Sequence, residues 1–387
     1  MRVLLAHNRY VHRGGEDAVF DQEGDLLREH GHEVVELLRD NRDLQGGDAR
    51  MALDSIYSIR SRSEAERVMK RLKPDILHVH NTLPQISPSI YYAAAARKVP
   101  VVQTLHNYRL LCANGMLMRD GGVCEDCVGR TFGFPAIMHR CYRDDRLASL
   151  SVVSTVAIHH VVGTWRNRVT RYIALCEFAR SKVLEAGLRP ERVVVKPNFA
   201  RDRHVGVDLG GPRSGALYLG RLSVEKGVNV LIDAWRTLDV PIDIIGTGPL
   251  EARMRSTVGP AVTMKGFLAD DDVTDAMRRS SFVLMPSIVY EGFPMVVAEA
   301  FSAGTPILAS RIGALAELVE DGVTGLHFHP GDPADLAAKV RWAHDHPAEM
   351  AEMGANARRR YERSYTPEAN YTRLMEIYEE ARAAVST

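Results

Sequence analysis

The sequence has no excess of charge of either sign: 49 Lys and Arg stand against 49 Asp and Glu in 387 residues, a formal net charge of zero. That balance leaves no electrostatic footprint for nucleic acid, and no block of like charge forms a tail. Long apolar runs are also missing. MRVLLAHNRY at the start is too short an apolar stretch for a secretory signal. The longest apolar-leaning segment, SLSVVSTVAIHHVVG at 149–163, is interrupted by serines, a threonine and two histidines. It is too short and too polar to cross a bilayer. A helix packed in the core is the expected reading, with a weak peripheral membrane contact as the alternative, and a cytoplasmic location is the default. No G-x-G-x-x-G fingerprint or P-loop occurs, no short period repeats, and no segment is of low complexity.

What is present is alternation. RVLLAHN (2–8), HEVVELL (32–38), DILHVHN (75–81), VPVVQTLHN (99–107), YIALC (172–176) and VVVKPNF (193–199) read as strands, and EDAVFDQEGDLLREHG (16–31) as a helix. A second series starts at GALYLGRL (215–222) and runs through 241–248, 261–267, 281–287, 305–310 and 325–330. Helical patterns at 334–345 and 367–385 close the chain. Buried strands alternating with amphipathic helices specify parallel α/β units. The expected fold class is α/β, with two tandem doubly wound Rossmann-like domains facing across a cleft. Residues 1–200 form the first domain and 201–365 the second, with GVDLGGPRSG as linker. Residues 366–387 form a helix that crosses back to the first domain.

Ligands of such sheets bind beyond the carboxyl ends of the strands. Gly14-Gly15 follows the first strand and opens a helix, where free N–H groups receive an anion; a turn serving geometry alone is the competing reading. GRLSVEKG places Arg221 and Lys226 on one loop of the second domain, a fork and a point charge suited to a diphosphate. YEGFPMVVAEAF then sets Glu291 beside Gly292-Phe293, with Pro294 at a helix start. Glu299 lies inside an apolar helical run, where a carboxylate is rarely buried without a partner. Either a neighbouring backbone or Arg satisfies it, or it accepts hydrogen bonds from vicinal hydroxyls such as those of a ribose.

Glu-x7-Glu with Gly-Phe-Pro after the first Glu, preceded by G-R-L-S-x-E-K-G, resembles the retaining family 4 glycosyltransferases of the GT-B fold. GGED, the His-Asn pair at 106–107 and EAFSAGTPILAS extend the resemblance over nearly the whole chain. It implies a hexosyltransferase that moves a sugar from a nucleoside-diphosphate sugar, with UDP or GDP as nucleotide, to an acceptor hydroxyl. It further implies that Gly14 and Gly15 meet the diphosphate opposite Arg221 and Lys226. Glu291 would bind donor-sugar hydroxyls near the backbone of Gly292, Phe293 and Pro294, Glu299 the ribose, and His106 would act near the reacting centre. No Asp-x-Asp metal motif falls near these positions, so no cofactor for catalysis is expected. A nucleotide-sugar 2-epimerase and a non-catalytic nucleotide-sugar-binding protein are the competing classes.

An insertion at about 108–146 holds Cys112, Cys124, Cys127 and Cys141. A C-x2-C with two outlying cysteines resembles a structural zinc site; free or redox-active thiols and disulfides are the other readings. The fifth, Cys176, reads as a small buried hydrophobe. Tyr10, His12, Arg13, His80 and Asn81 are expected to line the acceptor side with the insertion. The acceptor itself, whether small molecule, natural product or saccharide, has no signature in the chain.

Overall fold

The computed structural model describes the whole chain apart from residues 12, 44–48, 205, 207–208, 210 and 387. His12 and most of the expected linker's Val-Asp-Leu-Gly stretch therefore lie outside the described residues. The chain packs as two units. The first holds Met1–Leu117, Glu125–Lys196 and Asn370–Thr387; the second holds Met118–Cys124 and Pro197–Ala369. The division falls at 196/197 rather than 200/201.

The first unit is built on β1 (Arg2–Arg9), β2 (Glu33–Asp40), β3 (Ile76–Val79) and β4 (Val101–Leu105). Next in chain order comes a two-stranded antiparallel hairpin that belongs to the second unit, β5 (Met118–Arg119) with β6 (Gly122–Val123), and then β7 (Arg171–Ala174) and β8 (Val193–Val195) of the first. Six of these form one parallel sheet in the order β2-β1-β3-β4-β7-β8. The centre of β1 is fully buried, Val3 through Asn8 in one run. Such an unbroken run is the mark of a strand covered on both faces, and it explains why no polar alternation is visible there.

The second unit repeats the plan with β9 (Ala216–Leu219), β10 (Ile242–Ile245), β11 (Val262–Gly266), β12 (Phe282–Met285), β13 (Ile307–Ser310) and β14 (Gly325–Phe328). The order is β11-β10-β9-β12-β13-β14, all parallel. Strand order reverses at β1/β3 in one sheet and at β9/β12 in the other. A doubly wound sheet opens a crevice at that reversal, beyond the carboxyl ends. The loops after β1, β3, β4, β9 and β12 are therefore the ones that position chemistry.

The helix Pro367–Ser386 starts at the end of the second unit, yet its Leu374, Ile377, Tyr378 and Ala381 are fully buried with Val3, Leu5 and Ile76 of the first sheet and Phe20 of the helix Gly15–Glu29. The segment at 149–163 is a helix, Arg146–Val161, but only half of it is core. Val153 and Ala157 are buried, while Leu147 and Val161 are 77% and 74% exposed. Among the described residues no helix is long and apolar enough to cross a membrane.

Truncating a packed aliphatic side chain removes its transfer energy and leaves a cavity, about 2–5 kcal/mol for Ile to Ala. Ile377→Ala is expected to weaken the first unit by that amount. In urea unfolding followed by hydrogen exchange and mass spectrometry, peptides of the first sheet should lose protection at lower denaturant. Peptides of the second sheet should keep their midpoint.

Candidate active site

In the second unit, glycines set the loop geometry. Gly227 has φ +70°, and a Cβ there would lie 1.7 Å from the carbonyl oxygen of Pro286. Only glycine permits that approach, and it lays the loop after β9 directly on the loop after β12, where Ile288 N–H donates to the Glu225 carbonyl at 3.1 Å. Gly246 does the same one strand away: a Cβ would stand 2.0 Å from the Gly220 oxygen. The Gly-Thr-Gly turn thus serves backbone packing against the Gly-Arg-Leu loop.

This apposition brings Lys226 to Glu291. Lys226 Nζ donates to Glu291 Oε1 at 2.7 Å, and Ser287 Oγ donates to the same oxygen at 2.7 Å. Ser287 was not picked out from sequence, although its place just past β12 is the signal that would have found it. Arg221 is exposed, its side chain in no ion pair among the described residues, while its carbonyl is held by Tyr218 Oη at 2.9 Å. Asn198 Nδ2 donates to the Phe293 carbonyl at 3.2 Å, and Phe293 packs edge-on against Tyr365, which fixes the Gly-Phe-Pro loop. Pro294 is the residue before the first helical turn, the helix running Met295–Ser302.

Glu299 sits half-buried on that helix, and its carboxyl group accepts no hydrogen bond within the described residues. Arg203 lies close enough to matter electrostatically but spends its hydrogen bonds on Asp270 and Asp271. Burial, with Asp270 adding repulsion and Arg203 opposing, pushes the Glu299 carboxyl up to about 7. A lone carboxylate in this setting is an acceptor waiting for donors.

In the first unit, Gly14 is extended (φ −130°), and a Cβ there would meet nothing within 4 Å. Neither backbone strain nor crowding inside the chain calls for glycine here, so the space in front of it is open to a ligand. The helix Gly15–Glu29 that follows carries Glu16 and Asp17 in its first turn, and Asp17 takes the Gly14 N–H at 3.0 Å and His7 Nε2 at 2.8 Å. Two carboxylates would repel an anion, but burial pushes Glu16 up to about 7 against the opposing pull of His7 and the Tyr10 hydroxyl. Glu16 accepts from Tyr10 Oη at 2.9 Å and Asn107 Nδ2 at 3.2 Å, tying the loop after β1 to the loop after β4.

Of the residues expected on the acceptor side, the structure commits several to internal bonds. Asn81 bridges the Asn8 carbonyl and the Leu83 N–H at 3.1 and 3.0 Å. Arg13 is exposed and paired with Asp21 at 2.9 Å. His80 is buried against His106, their ring nitrogens 2.9 Å apart. His80, Asn81, Gln103, His106, Asn107 and Arg109 are among the residues lining one pocket.

None of the five cysteines forms a disulfide. A tetrahedral zinc–thiolate site would hold its sulfurs roughly 3.8 Å apart, from Zn–S bonds near 2.3 Å. Cys112, Cys127 and Cys141 of the first unit do not come together as a set within 4.8 Å, so as placed they do not fit such a site. Cys127 and Cys141 pack instead against a small core of Ala113, Ala136 and Val153, and Cys112 Sγ meets Asn114 Oδ1 at 2.9 Å. Cys176 is buried, and its sulfur also accepts the Ala179 N–H at 3.4 Å as the cap of the helix Glu177–Glu185.

The pH dependence of Glu299 has a definite sign. With a folded value of about 7 against 4.5 for the free group, the folded state binds more protons than the unfolded state between those limits. Stability from this group therefore falls as pH rises through that window, and the deficit persists above it. Glu299→Gln removes the penalty. It is expected to stabilise the unliganded protein by about 1–3 kcal/mol at pH 8 and to have little effect at pH 4.5, as measured by urea unfolding at the two pH values.

Two family models match the chain: "Glycosyltransferase Family 4" over residues 14–202 and "Glycosyl transferases group 1" over residues 211–360. The chain is 30% identical over 174 residues to an uncharacterised glycosyltransferase, MJ1178, of Methanocaldococcus jannaschii, covering 44% of this chain and 49% of that one. It is 31% identical over 243 residues to the phosphatidyl-myo-inositol mannosyltransferase of Mycobacterium leprae, covering 57% and 61%. The chain thus spans roughly half of the length of the curated relatives it matches. In fold it is similar to Anabaena Alr3699/HepE, solved in complex with UDP, with a TM-score of 0.65, 17% identity, and coverage of 97% and 99%. With both sheet units matched in sequence and fold, the chain belongs to the family 4 and group 1 glycosyltransferases of the GT-B fold.

Proposed function

We propose that the protein transfers a hexose from a nucleoside-diphosphate sugar to an acceptor hydroxyl with retention of anomeric configuration. The observation that carries this reading is Glu299. It is a half-buried carboxyl without a hydrogen bond from the described residues, on the helix that follows the Lys226–Glu291–Ser287 cluster. Vicinal hydroxyls of a ribose supply two donors for such a group. The solved complexes of the Anabaena neighbour with UDP and with UDP-glucose support a nucleotide sugar as ligand of this fold.

The reading assigns each group a task. Departure of a nucleoside diphosphate builds negative charge, which Arg221 and Lys226 stabilise electrostatically. Gly14 and Gly15 leave room for the diphosphate at a helix start. Glu291, held by Lys226 and Ser287, accepts donor-sugar hydroxyls beside the Gly292-Phe293-Pro294 backbone. His106 stands near the reacting centre. In this scheme the acceptor attacks the face from which the diphosphate leaves, a donor phosphate oxygen takes its proton, and no protein nucleophile takes part. The paired-carboxylate chemistry of glycoside hydrolases therefore has no role here. Tyr10, Arg13, His80, Asn81 and the cysteine insertion border the acceptor side in this reading, and the protein acts in the cytoplasm.

A thermal-shift screen of UDP, GDP, ADP and TDP identifies the donor class. Release of the nucleoside diphosphate only with an acceptor present supports transfer, whereas interconversion of the sugar without release supports epimerisation. Glu299→Ala is expected to weaken binding of the bare nucleotide, roughly tenfold or more for a charge-assisted hydrogen-bond pair. Glu291→Ala should leave bare-nucleotide affinity intact and slow transfer. Calorimetry with nucleotide alone separates the two, and equal losses would overturn the division of roles.

The zinc reading of the insertion carries no step of this scheme. Elemental analysis of protein purified without added metal decides it: a ratio of about one zinc per chain supports four thiolate ligands. A ratio far below one, with the thiols open to a labelling reagent, leaves the packing role seen around Ala136 and Val153.

A further inference from the structure

Behind His106 lies a group of buried polar side chains that the scheme above does not use. Glu23, His78 and Lys196 are fully buried and His80 is 4% exposed. Lys196 Nζ donates to Glu23 Oε1, and to Asn370 Oδ1 at 3.3 Å. The other oxygen of Glu23, Oε2, lies 3.4 Å from Nε2 of His80, a charge contact between two buried atoms that make no hydrogen bond among the described residues. His78 has both nitrogens engaged, Nδ1 with Tyr378 Oη and Nε2 with Thr104 Oγ1, each at 2.8 Å. The remaining nitrogen of His80, Nδ1, meets Nε2 of His106 at 2.9 Å.

Glu23, His78 and His80 bring three ligand atoms within 4.8 Å of one another, which is a geometry a metal ion could use. The Lys196 ammonium, however, already sits on that carboxylate and supplies the positive charge. The group is better read as a polar relay: a close charge contact from Glu23 to His80, then a hydrogen bond from His80 to His106.

We infer that Glu23 and His80 are positioning residues that fix the tautomer of His106, placing its proton on Nε2 and leaving a lone pair on Nδ1. The argument is one of donors and acceptors. An ionised carboxylate only accepts. An unprotonated His80 Nε2 would face the Glu23 oxygen lone pair to lone pair in a dry interior, where an unmade bond costs most. His80 Nε2 therefore carries the proton and donates towards Glu23, which makes His80 Nδ1 the acceptor. His106 must then donate from Nε2. Burial holds both rings well below the usual histidine range, so each is neutral and carries a single proton. His106 makes no other hydrogen bond among the described residues, and its ring lines the pocket. Its Nδ1 presents a lone pair to a hydroxyl of bound sugar or acceptor. Only the identity of that hydroxyl rests on the glycosyltransferase reading; the proton placement does not.

The test uses the full chain with ¹⁵N-labelled histidine and long-range ¹H–¹⁵N correlation spectra, with His106 assigned by loss of its signals in His106→Gln. The wild-type protein is expected to show His106 protonated on Nε2, and a proton on Nδ1 overturns the inference. In Glu23→Gln, Lys196 retains the side-chain oxygen and the amide N–H₂ turns to His80 Nε2. The proton of each ring then shifts to its Nδ1. The spectrum should show the inverted tautomer of His106, and kcat should fall roughly tenfold or more with donor KM unchanged. An unaltered tautomer in Glu23→Gln, or inversion without loss of kcat, defeats the proposed role. Should that variant not fold, the wild-type spectrum still decides the proton placement. Failure of the wild type to release nucleoside diphosphate would count against the transferase reading and leave the spectra untouched.

Discussion

The first unit depends on one buried ion pair. Lys196 and Glu23 are both completely excluded from water, and the chain passes into the second unit one residue after Lys196. Two charges in a protein interior recover their desolvation cost only when geometry and extra hydrogen bonds are good, and removing one partner typically costs 3–5 kcal/mol. Here the pair joins the end of β8 to the helix Gly15–Glu29 and, through Asn370, to the C-terminal helix. The same helix adds Tyr378 to His78 and Leu374 and Ile377 to the core. A segment that follows the second unit in sequence is thus pinned into the first by both apolar burial and a polar network. Such networks specify one arrangement because every alternative leaves a buried charge unmet.

Carboxylates in this protein fall into two classes, separated by their neighbours. Asp17 is held below the usual range because the His7 ring and the Gly14 N–H outweigh its burial. Glu16, its immediate neighbour, and Glu299 in the other unit are pushed up to about 7, because burial outweighs the help they receive. Groups poised near neutrality are what functional sites tend to collect. Asp17 caps a helix and builds structure. Glu16 joins two loops through Tyr10 and Asn107, and Glu299 keeps its accepting capacity unspent.

The second unit reaches its site geometry by backbone contact. Gly227 and Gly246 let adjacent loops touch where any side chain would collide, and the loops after β9 and β12 then share one surface. Lys226 meets Glu291 across 65 residues of sequence because of that contact. The spacing Glu-x7-Glu follows from the same design: one Glu in the loop, one half-buried on the helix Met295–Ser302. The first is compensated by a lysine and a serine, the second by no hydrogen bond among the described residues.

The parallel strands, their order along the chain and the loops that bear Gly14, Arg221, Lys226, Glu291 and Glu299 follow from the sequence alone. Buried strands announce themselves as apolar runs, and a doubly wound sheet places its chemistry at their carboxyl ends. The helix over SLSVVSTVAIHHVVG was visible too, but not that Val161 faces outward, since polar Ser149, Thr155 and His159 are the buried ones and the pattern shows no apolar stripe to orient it. What only the tertiary structure decided are contacts between residues far apart in sequence. Lys196 finds Glu23 across 173 positions and Tyr378 finds His78 across 300. The fold likewise gave Asn81 two internal hydrogen bonds, and packed Cys127 and Cys141 against Ala113, Ala136 and Val153. Periodicity and spacing report which face of an element is buried. They do not report which polar groups meet there, because that depends on strand order and helix docking, which the whole chain settles together.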